Sequence, residues 1–206
     1  MTAPGVYRDD GPLVSSIARQ LRRVHPGSPV SLTVLGALPL AAVLAVDDGT
    51  PAAVPAFAAL ALFILLAAPG SARPEAGRLA WTVPPLLRLV EYGFLIRLTV
   101  LADRGAMPLC FAALGVLAFH HYDAVYRLRH QRRPAPGWTR AIGGGWEGRL
   151  VAAYVLALAG ALEAGLLVAS VVLAIVYVGE GSASWLRFAR AERSAAYDDD
   201  GDEEDA

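Results

Sequence analysis

The feature that most constrains the fold is a series of long apolar stretches separated by short segments rich in arginine or acidic residues. A helix that crosses the hydrocarbon of a bilayer, about 30 Å thick, needs roughly 20 apolar residues. Only 18% of the residues are charged and 55% are hydrophobic, so water cannot solvate the surface of such a chain. The sequence therefore predicts an all-α fold, a polytopic membrane helix bundle. The predicted spans are residues 28–46, 52–68, 80–102, 106–122, 146–161 and 164–185.

The longest apolar region, residues 150–178, decides between six transmembrane helices and five. As one helix it would be roughly 43 Å long, which is too long for a single untilted crossing. Gly160 and Gly165 flank Glu163 at its centre and favour a hairpin, with one tilted helix as the alternative. Short cytoplasmic loops are enriched in arginine. Six crossings place every arginine-rich segment on the cytoplasmic side, whereas five would place residues 187–193 outside, so six are predicted.

This topology predicts the organisation and location of the chain. Residues 1–27 form a cytoplasmic N-terminal segment, and residues 28–188 form the transmembrane bundle with a cytoplasmic arginine-rich loop at 121–149. Residues 189–206 are expected to form a disordered acidic tail, because their last part is almost entirely acidic. The protein is expected to be a multi-pass protein of the inner (plasma) membrane with both termini in the cytoplasm.

Three tryptophans lie near predicted helix ends. Trp81, Trp146 and Trp185 each fall at the edge of a predicted span. Because amphipathic indole rings favour the boundary between lipid and water, all three are predicted to be interface anchors.

Candidate chemistry is concentrated at the end of the fourth span, in residues 119–130. On a helix, His120, Asp123 and Arg127 share one face, and the last two can form an ion pair. This face can hold a phosphate or a metal at the cytoplasmic mouth of the bundle, or it can simply be a helix leaving the membrane. The segment has too few ligands for a metal, so no metal site is predicted. The candidate catalytic residues are Asp123, His120 and Glu147.

The loop 121–149 carries six arginines with few acidic neighbours. Such a cluster attracts anionic lipid head groups, by about 1 kcal/mol for each arginine near the surface. The alternative interpretation is that the arginines only set the orientation of the helices. Aromatic residues are not interleaved with them, so nucleic acid is not an expected partner. The predicted anionic-ligand-binding residues are Arg127, Arg129, Arg132, Arg133, Arg140 and Arg149.

A second polar site lies inside the third span. Arg88 and Glu91 are three residues apart and can form an ion pair near the middle of the bilayer. Charged residues at this depth are costly and usually functional. The alternative is an ion pair that faces the bundle interior and fixes helix packing.

Residues 122–129 (YDAVYRLR) and 145–149 (GWEGR) carry a resemblance that covers roughly residues 75–190. They resemble an uncharacterised actinobacterial membrane domain found fused to CDP-alcohol phosphatidyltransferase and nucleotidyltransferase modules. The resemblance implies a role in lipid-head-group metabolism. The transferases themselves have four metal-binding aspartates in an Asp-x-x-Asp-Gly-x-x-Ala-Arg run and its continuation. This chain has Asp123 and Arg127 in a similar place but lacks the other aspartates.

These observations lead to three hypotheses. The leading one is an accessory or non-classical component of phospholipid or envelope-lipid synthesis, which engages anionic lipid, a CDP-linked substrate or a catalytic partner protein through the arginine-rich loop. The second is a CDP-alcohol phosphotransferase-like enzyme with a degenerate metal site at Asp123 and Glu147. Mg²⁺ or Mn²⁺ is an expected cofactor only for this enzyme. The third is a small transporter that uses Arg88 and Glu91.

Overall fold

A computed structural model describes residues 7–23, 27–46, 53–72 and 78–204. Side chains 22, 53, 80, 192 and 194–204 lie outside this description. No strand occurs in these ranges, so the prediction of an all-α fold is confirmed for them. The α-helices are α1 (Pro12–Gln20), α2 (Pro29–Ala45), α3 (Ala53–Ala67), α4 (Pro69–Ala72), α5 (Val83–Ala102), α6 (Met107–His130), α7 (Gly137–Gly143), α8 (Gly145–Leu158) and α9 (Leu162–Glu204).

The predicted apolar stretches coincide with helices α2, α3, α5, α6, α8 and α9. Within the described part of the chain, three helical segments are long and apolar enough to cross a membrane, namely Val54–Ala72, Arg104–His130 and Leu162–Ala191. Helix α2, with 17 residues, is apolar but shorter. The fold is thus compatible with a membrane protein, and the count of six crossings stays a prediction. The disorder predicted for residues 189–206 also stays a prediction.

Polar and apolar side chains are distributed as expected for a protein surrounded by lipid. Large apolar side chains such as Val54, Leu89 and Ile175 are exposed on the outer surface. By contrast, the carboxylates of Glu91 and Glu147 are completely buried. Lipid acyl chains can solvate the exposed apolar side chains. The buried carboxylates cannot be solvated by lipid and need partners of opposite charge inside the protein.

The long apolar region 150–178 is broken in the middle. Helix α8 ends at Leu158 and helix α9 begins at Leu162. Between them Gly160 has a φ of +67°, a left-handed conformation that residues with a side chain rarely adopt. The region therefore forms two helices joined by a tight turn, as the hairpin interpretation predicts, and the single tilted helix is wrong. The turn lies at residues 159–161, so Glu163 belongs to α9 and not to the turn where it was predicted.

Helix pairing brings several helix ends to one end of the bundle. Helix α2 packs against α3, α6 against α9, and α5 against α8. The buried rings of Phe63 and Trp146 meet edge to face, with centroids 5.3 Å apart. The N-terminal parts of α5 and α8 and the C-terminal part of α6 contact one another through polar side chains, which positions the site described below.

The prediction that Trp146 anchors the chain at the membrane interface is wrong. Its side chain is 0% exposed, and its indole N–H donates a hydrogen bond of 2.8 Å to Asp10 Oδ1. Trp81, in contrast, is 72% exposed, as an interface anchor should be. The indole of Trp185 donates to the Asp123 carboxylate, so it also has a partner within the protein.

Candidate functional site

The N-terminal segment does not lie apart from the bundle but enters it. Arg8, Asp9 and Asp10 are all buried. Arg88 in α5 donates a hydrogen bond of 2.9 Å to the carbonyl of Arg8, and the backbone N–H of Trp146 donates one of 3.2 Å to the carbonyl of Asp9. Side chains and backbone of α5 and α8 therefore fix this segment in place.

Glu147 holds the start of α1. Its carboxylate accepts hydrogen bonds from the backbone N–H groups of Gly11 and Val14, both 3.0 Å long. A carboxylate at this position satisfies N–H groups that have no partner within the helix and interacts favourably with the helix dipole. The backbones of Gly11 and Gly144 are also packed closely, since a Cβ atom on Gly11 would lie 2.1 Å from the carbonyl oxygen of Gly144. Glu147, a candidate catalytic residue, is thus placed as a helix cap.

The predicted ion pair of Arg88 and Glu91 is confirmed and belongs to a larger network. Glu91 is 0% exposed and accepts from Arg88 Nη1 at 3.1 Å and from Arg149 Nε at 2.6 Å. Arg149 also donates from Nη2 to Asp9 Oδ2 at 2.8 Å. Two carboxylates and two guanidinium groups therefore alternate, and their charges balance inside the bundle.

Two histidines converge on the Asp9 carboxylate. His120 Nε2 lies 3.4 Å from Asp9 Oδ1, and His121 Nε2 lies 3.6 Å from Asp9 Oδ2. The other ring nitrogen of His121, Nδ1, is hydrogen-bonded to the Tyr92 hydroxyl at 2.8 Å. The ring of His120 stacks on that of Tyr177, with centroids 3.8 Å apart. Three potential metal-ligand atoms, one from each of Asp9, His120 and His121, lie within 4.8 Å of one another.

The backbone and the charge of Asp9 are both unusual. Its φ is +56°, a left-handed conformation that aspartate tolerates better than most residues but that is still uncommon. Burial alone would raise the pKa of its carboxyl, but Arg149 and the two histidines outweigh burial and hold that pKa well below its usual range. Asp9 is therefore an anion held in a fixed position.

The three residues Asp9, His120 and His121 lie along a cleft with a volume of about 650 Å³. Arg88, Arg129 and Arg140 also line this cleft. Its remaining walls are mainly apolar, and include Trp81, Pro84, Pro85, Val125 and Leu128. The cleft thus combines a basic polar part with an apolar wall.

A second polar cluster lies between α6 and α9. Arg127 donates from Nε to Asp123 Oδ2 at 2.6 Å, which confirms the predicted ion pair. The guanidinium group of Arg127 also contacts the Glu180 carboxylate, and Trp185 Nε1 donates to Asp123 Oδ1 at 3.1 Å. Asp123 is thus engaged with Arg127 and Trp185, whereas His120, on the same helix, belongs to the Asp9 group.

The six arginines predicted to bind an anionic ligand fall into different environments. Arg127 and Arg149 are bound to carboxylates of the protein itself. Arg129 and Arg140 line the cleft. Arg132 and Arg133 are exposed and are not among the residues that line it.

Sequence reasoning missed Asp9 and the two tyrosines next to the histidines. Asp9 lies 111 positions before His120, and no pattern in one sequence links them. One local signal was available in the sequence. The charged run Arg8-Asp9-Asp10 is followed directly by Gly11 and Pro12, and a proline at this position is typical of the first turn of a helix. The N-terminal segment was therefore more ordered than a free polar terminus would be.

Neither curated proteins nor solved structures provide a match for the chain. One family model does match, described as a family of unknown function, DUF5941. The match covers residues 5–204 and so includes Asp9 as well as the helices, a wider range than the resemblance suggested by the sequence motifs. The chain therefore belongs to the DUF5941 family, a family of unknown function.

Proposed function

We propose that this protein is a multi-pass plasma-membrane protein that binds a phosphate-bearing lipid head group in the cleft. It acts as an accessory or non-classical component of phospholipid or envelope-lipid synthesis. In this proposal the chain crosses the membrane six times with both termini in the cytoplasm, and the cleft opens at the cytoplasmic end of the bundle. The observation that carries the proposal is the combination of arginines and an apolar wall in one cleft.

The arginines suit a phosphate ligand. The planar guanidinium group binds phosphate oxygens with two parallel hydrogen bonds, which ammonium groups cannot do. Arg129 and Arg140 reach the cleft from two separate helices, α6 and α7. Arg88 is already held by Glu91 and contributes positive charge from a fixed position.

The apolar wall favours a lipid over a soluble phosphate compound. Trp81 and Val125 line the cleft and are 72% and 40% exposed. An acyl chain or glycerol backbone covers these surfaces when the head group is bound, whereas inorganic phosphate leaves them uncovered.

An accessory role is favoured over the phosphotransferase alternative. Asp123 is bound by Arg127 and Trp185, and Glu147 caps α1, so each carboxylate already has a structural task. The transporter alternative rests on Arg88 and Glu91, which instead hold the N-terminal segment in a closed charge network. The resemblance to a domain fused to CDP-alcohol phosphatidyltransferase modules supports lipid synthesis, with a catalytic partner protein supplying the chemistry.

The proposal is tested by counting bound lipids on the purified protein. The detergent-solubilised chain is titrated with anionic and zwitterionic phospholipids, and bound lipid is measured by native mass spectrometry. Replacing Arg129 and Arg140 by glutamine removes about 2 kcal/mol of attraction, which weakens binding of the anionic lipid about 30-fold.

The matched control replaces Arg132 and Arg133 by glutamine, which removes the same charge outside the cleft. It is expected to weaken binding much less. Equal losses in the two double variants, or no preference of the wild-type protein for anionic lipid, contradict a head-group site in the cleft.

A further inference from the structure

The geometry points to a binding site for a divalent transition-metal ion, formed by Asp9, His120 and His121 where they line the cleft. This inference goes beyond lipid binding and is independent of it. The sequence alone predicted no metal site, because residues 119–130 contain too few ligands. The fold corrects that shortage by bringing Asp9 against both histidines.

The ligand types and distances suit an ion of the zinc class. Imidazole nitrogen and carboxylate oxygen are the preferred ligands of such ions, at 2.0–2.2 Å from the metal. Two ligands of a tetrahedral ion at this range are about 3.3–3.6 Å apart. His120 Nε2 lies 3.4 Å from Asp9 Oδ1 and His121 Nε2 lies 3.6 Å from Asp9 Oδ2, so each histidine is at this range from one of the two carboxylate oxygens. One ligand atom from each of the three residues can be chosen so that all lie within 4.8 Å of one another, and small side-chain rotations bring them to the tetrahedral spacing.

The orientation of His121 supplies an independent observation. Its Nε2 atom is buried and has no hydrogen-bond partner among the described residues. Buried polar atoms in proteins nearly always have a partner, either in the protein or in a bound species. When the Nδ1–H group of His121 donates to the Tyr92 hydroxyl, 2.8 Å away, the Nε2 atom has a lone pair that it can offer to a metal.

The surrounding residues form the supporting shell that a metal site needs. Tyr92 fixes the His121 ring, Tyr177 stacks on the His120 ring, and Arg149 orients the Asp9 carboxylate. Partners of this kind orient metal ligands and are typical of functional sites. Three protein ligands leave a tetrahedral ion free to take a fourth ligand, and all three residues line the cleft from which such a ligand can enter.

Charge gives this open position a preference for anions. Asp9 and Glu91 are already balanced by Arg88 and Arg149, so a bound divalent ion adds two uncompensated positive charges. An anionic oxygen entering from the cleft reduces this excess. The site therefore takes an ion with three protein ligands and completes its coordination with water, hydroxide or an oxyanion.

The inference is tested with metal alone, in the absence of lipid. The protein, freed of any polyhistidine tag and dialysed against a chelator, is titrated with Zn²⁺ in a calorimeter. Co²⁺ is then titrated by visible absorption, because tetrahedral Co²⁺ absorbs much more strongly than the hydrated ion. One ion per chain and a tetrahedral Co²⁺ spectrum are expected. Absence of binding to the wild-type protein overturns the inference.

Variants assign the site. Asp9→Asn and His121→Gln each remove or weaken a metal ligand and are expected to weaken metal binding by about a hundredfold or more. Tyr92→Phe leaves the three ligands intact and is expected to weaken it by about tenfold. His130→Gln, on the exposed end of α6, is the matched control and should bind like the wild type. Equal affinities in wild type, Asp9→Asn and Tyr92→Phe, or an equal loss in His130→Gln, overturn the assignment.

Discussion

The substitution Glu91→Gln tests the buried charge network most sharply. Glu91 is completely buried and accepts hydrogen bonds from Arg88 and Arg149, at 3.1 and 2.6 Å. Removing one partner of a buried ion pair typically costs about 3–5 kcal/mol, because the opposite charge stays buried without compensation. Here Arg149 keeps Asp9, and Arg88 keeps the carbonyl of Arg8, so a loss at the lower end, about 3 kcal/mol, is expected.

The assay is unfolding of the purified protein in mild detergent, followed by circular dichroism over a denaturant series. Glu163→Gln is the matched control, because Glu163 is an exposed carboxylate at the start of α9. It should change the free energy of unfolding by less than about 0.5 kcal/mol. In a double-mutant cycle with Arg149→Met, Glu91→Gln should show a coupling energy of about 1–3 kcal/mol. Equal effects of Glu91→Gln and Glu163→Gln, or zero coupling, would show that Glu91 and Arg149 do not stabilise the fold as a buried ion pair.

Three further predictions concern the docking of the N-terminal segment and the tail. Trp146→Phe removes the donor to Asp10 and should destabilise the protein by about 1–3 kcal/mol, measured by the same unfolding assay. Gly11→Ala places a Cβ atom 2.1 Å from the carbonyl oxygen of Gly144 and should displace α1 from the bundle. The expected result is faster proteolysis near the N-terminus, and an unchanged digestion pattern would contradict this packing. Deletion of residues 198–206 should leave membrane insertion unchanged, measured by carbonate extraction of membranes, since a solvated acidic tail contributes no apolar surface.

The helices could be predicted from the sequence because their signal is local. Apolar stretches of the required length mark each main helix, and Gly160 marks the turn between α8 and α9. The pairs Arg88–Glu91 and Asp123–Arg127 were predictable for the same reason, since side chains three or four residues apart meet on one helix face.

The candidate site could not be predicted, because it depends on contacts between distant parts of the chain. Asp9 meets His120 and Arg149 only when residues 7–11 enter the bundle. Trp146 was misplaced for a related reason. A tryptophan at a helix end usually meets the interface, but here Asp10 provides a buried partner for its N–H group.

The most direct test of lipid binding in the cleft is photo-crosslinking with an anionic phospholipid that carries a photoreactive group on its acyl chain, close to the glycerol backbone. The labelled residues are mapped by mass spectrometry. Labelling is expected mainly at cleft residues such as Trp81, Val125 and Leu128, and excess anionic lipid, but not zwitterionic lipid, should reduce it. Labelling spread evenly over outward-facing residues such as Val54 and Ile175, and insensitive to competition, would contradict it.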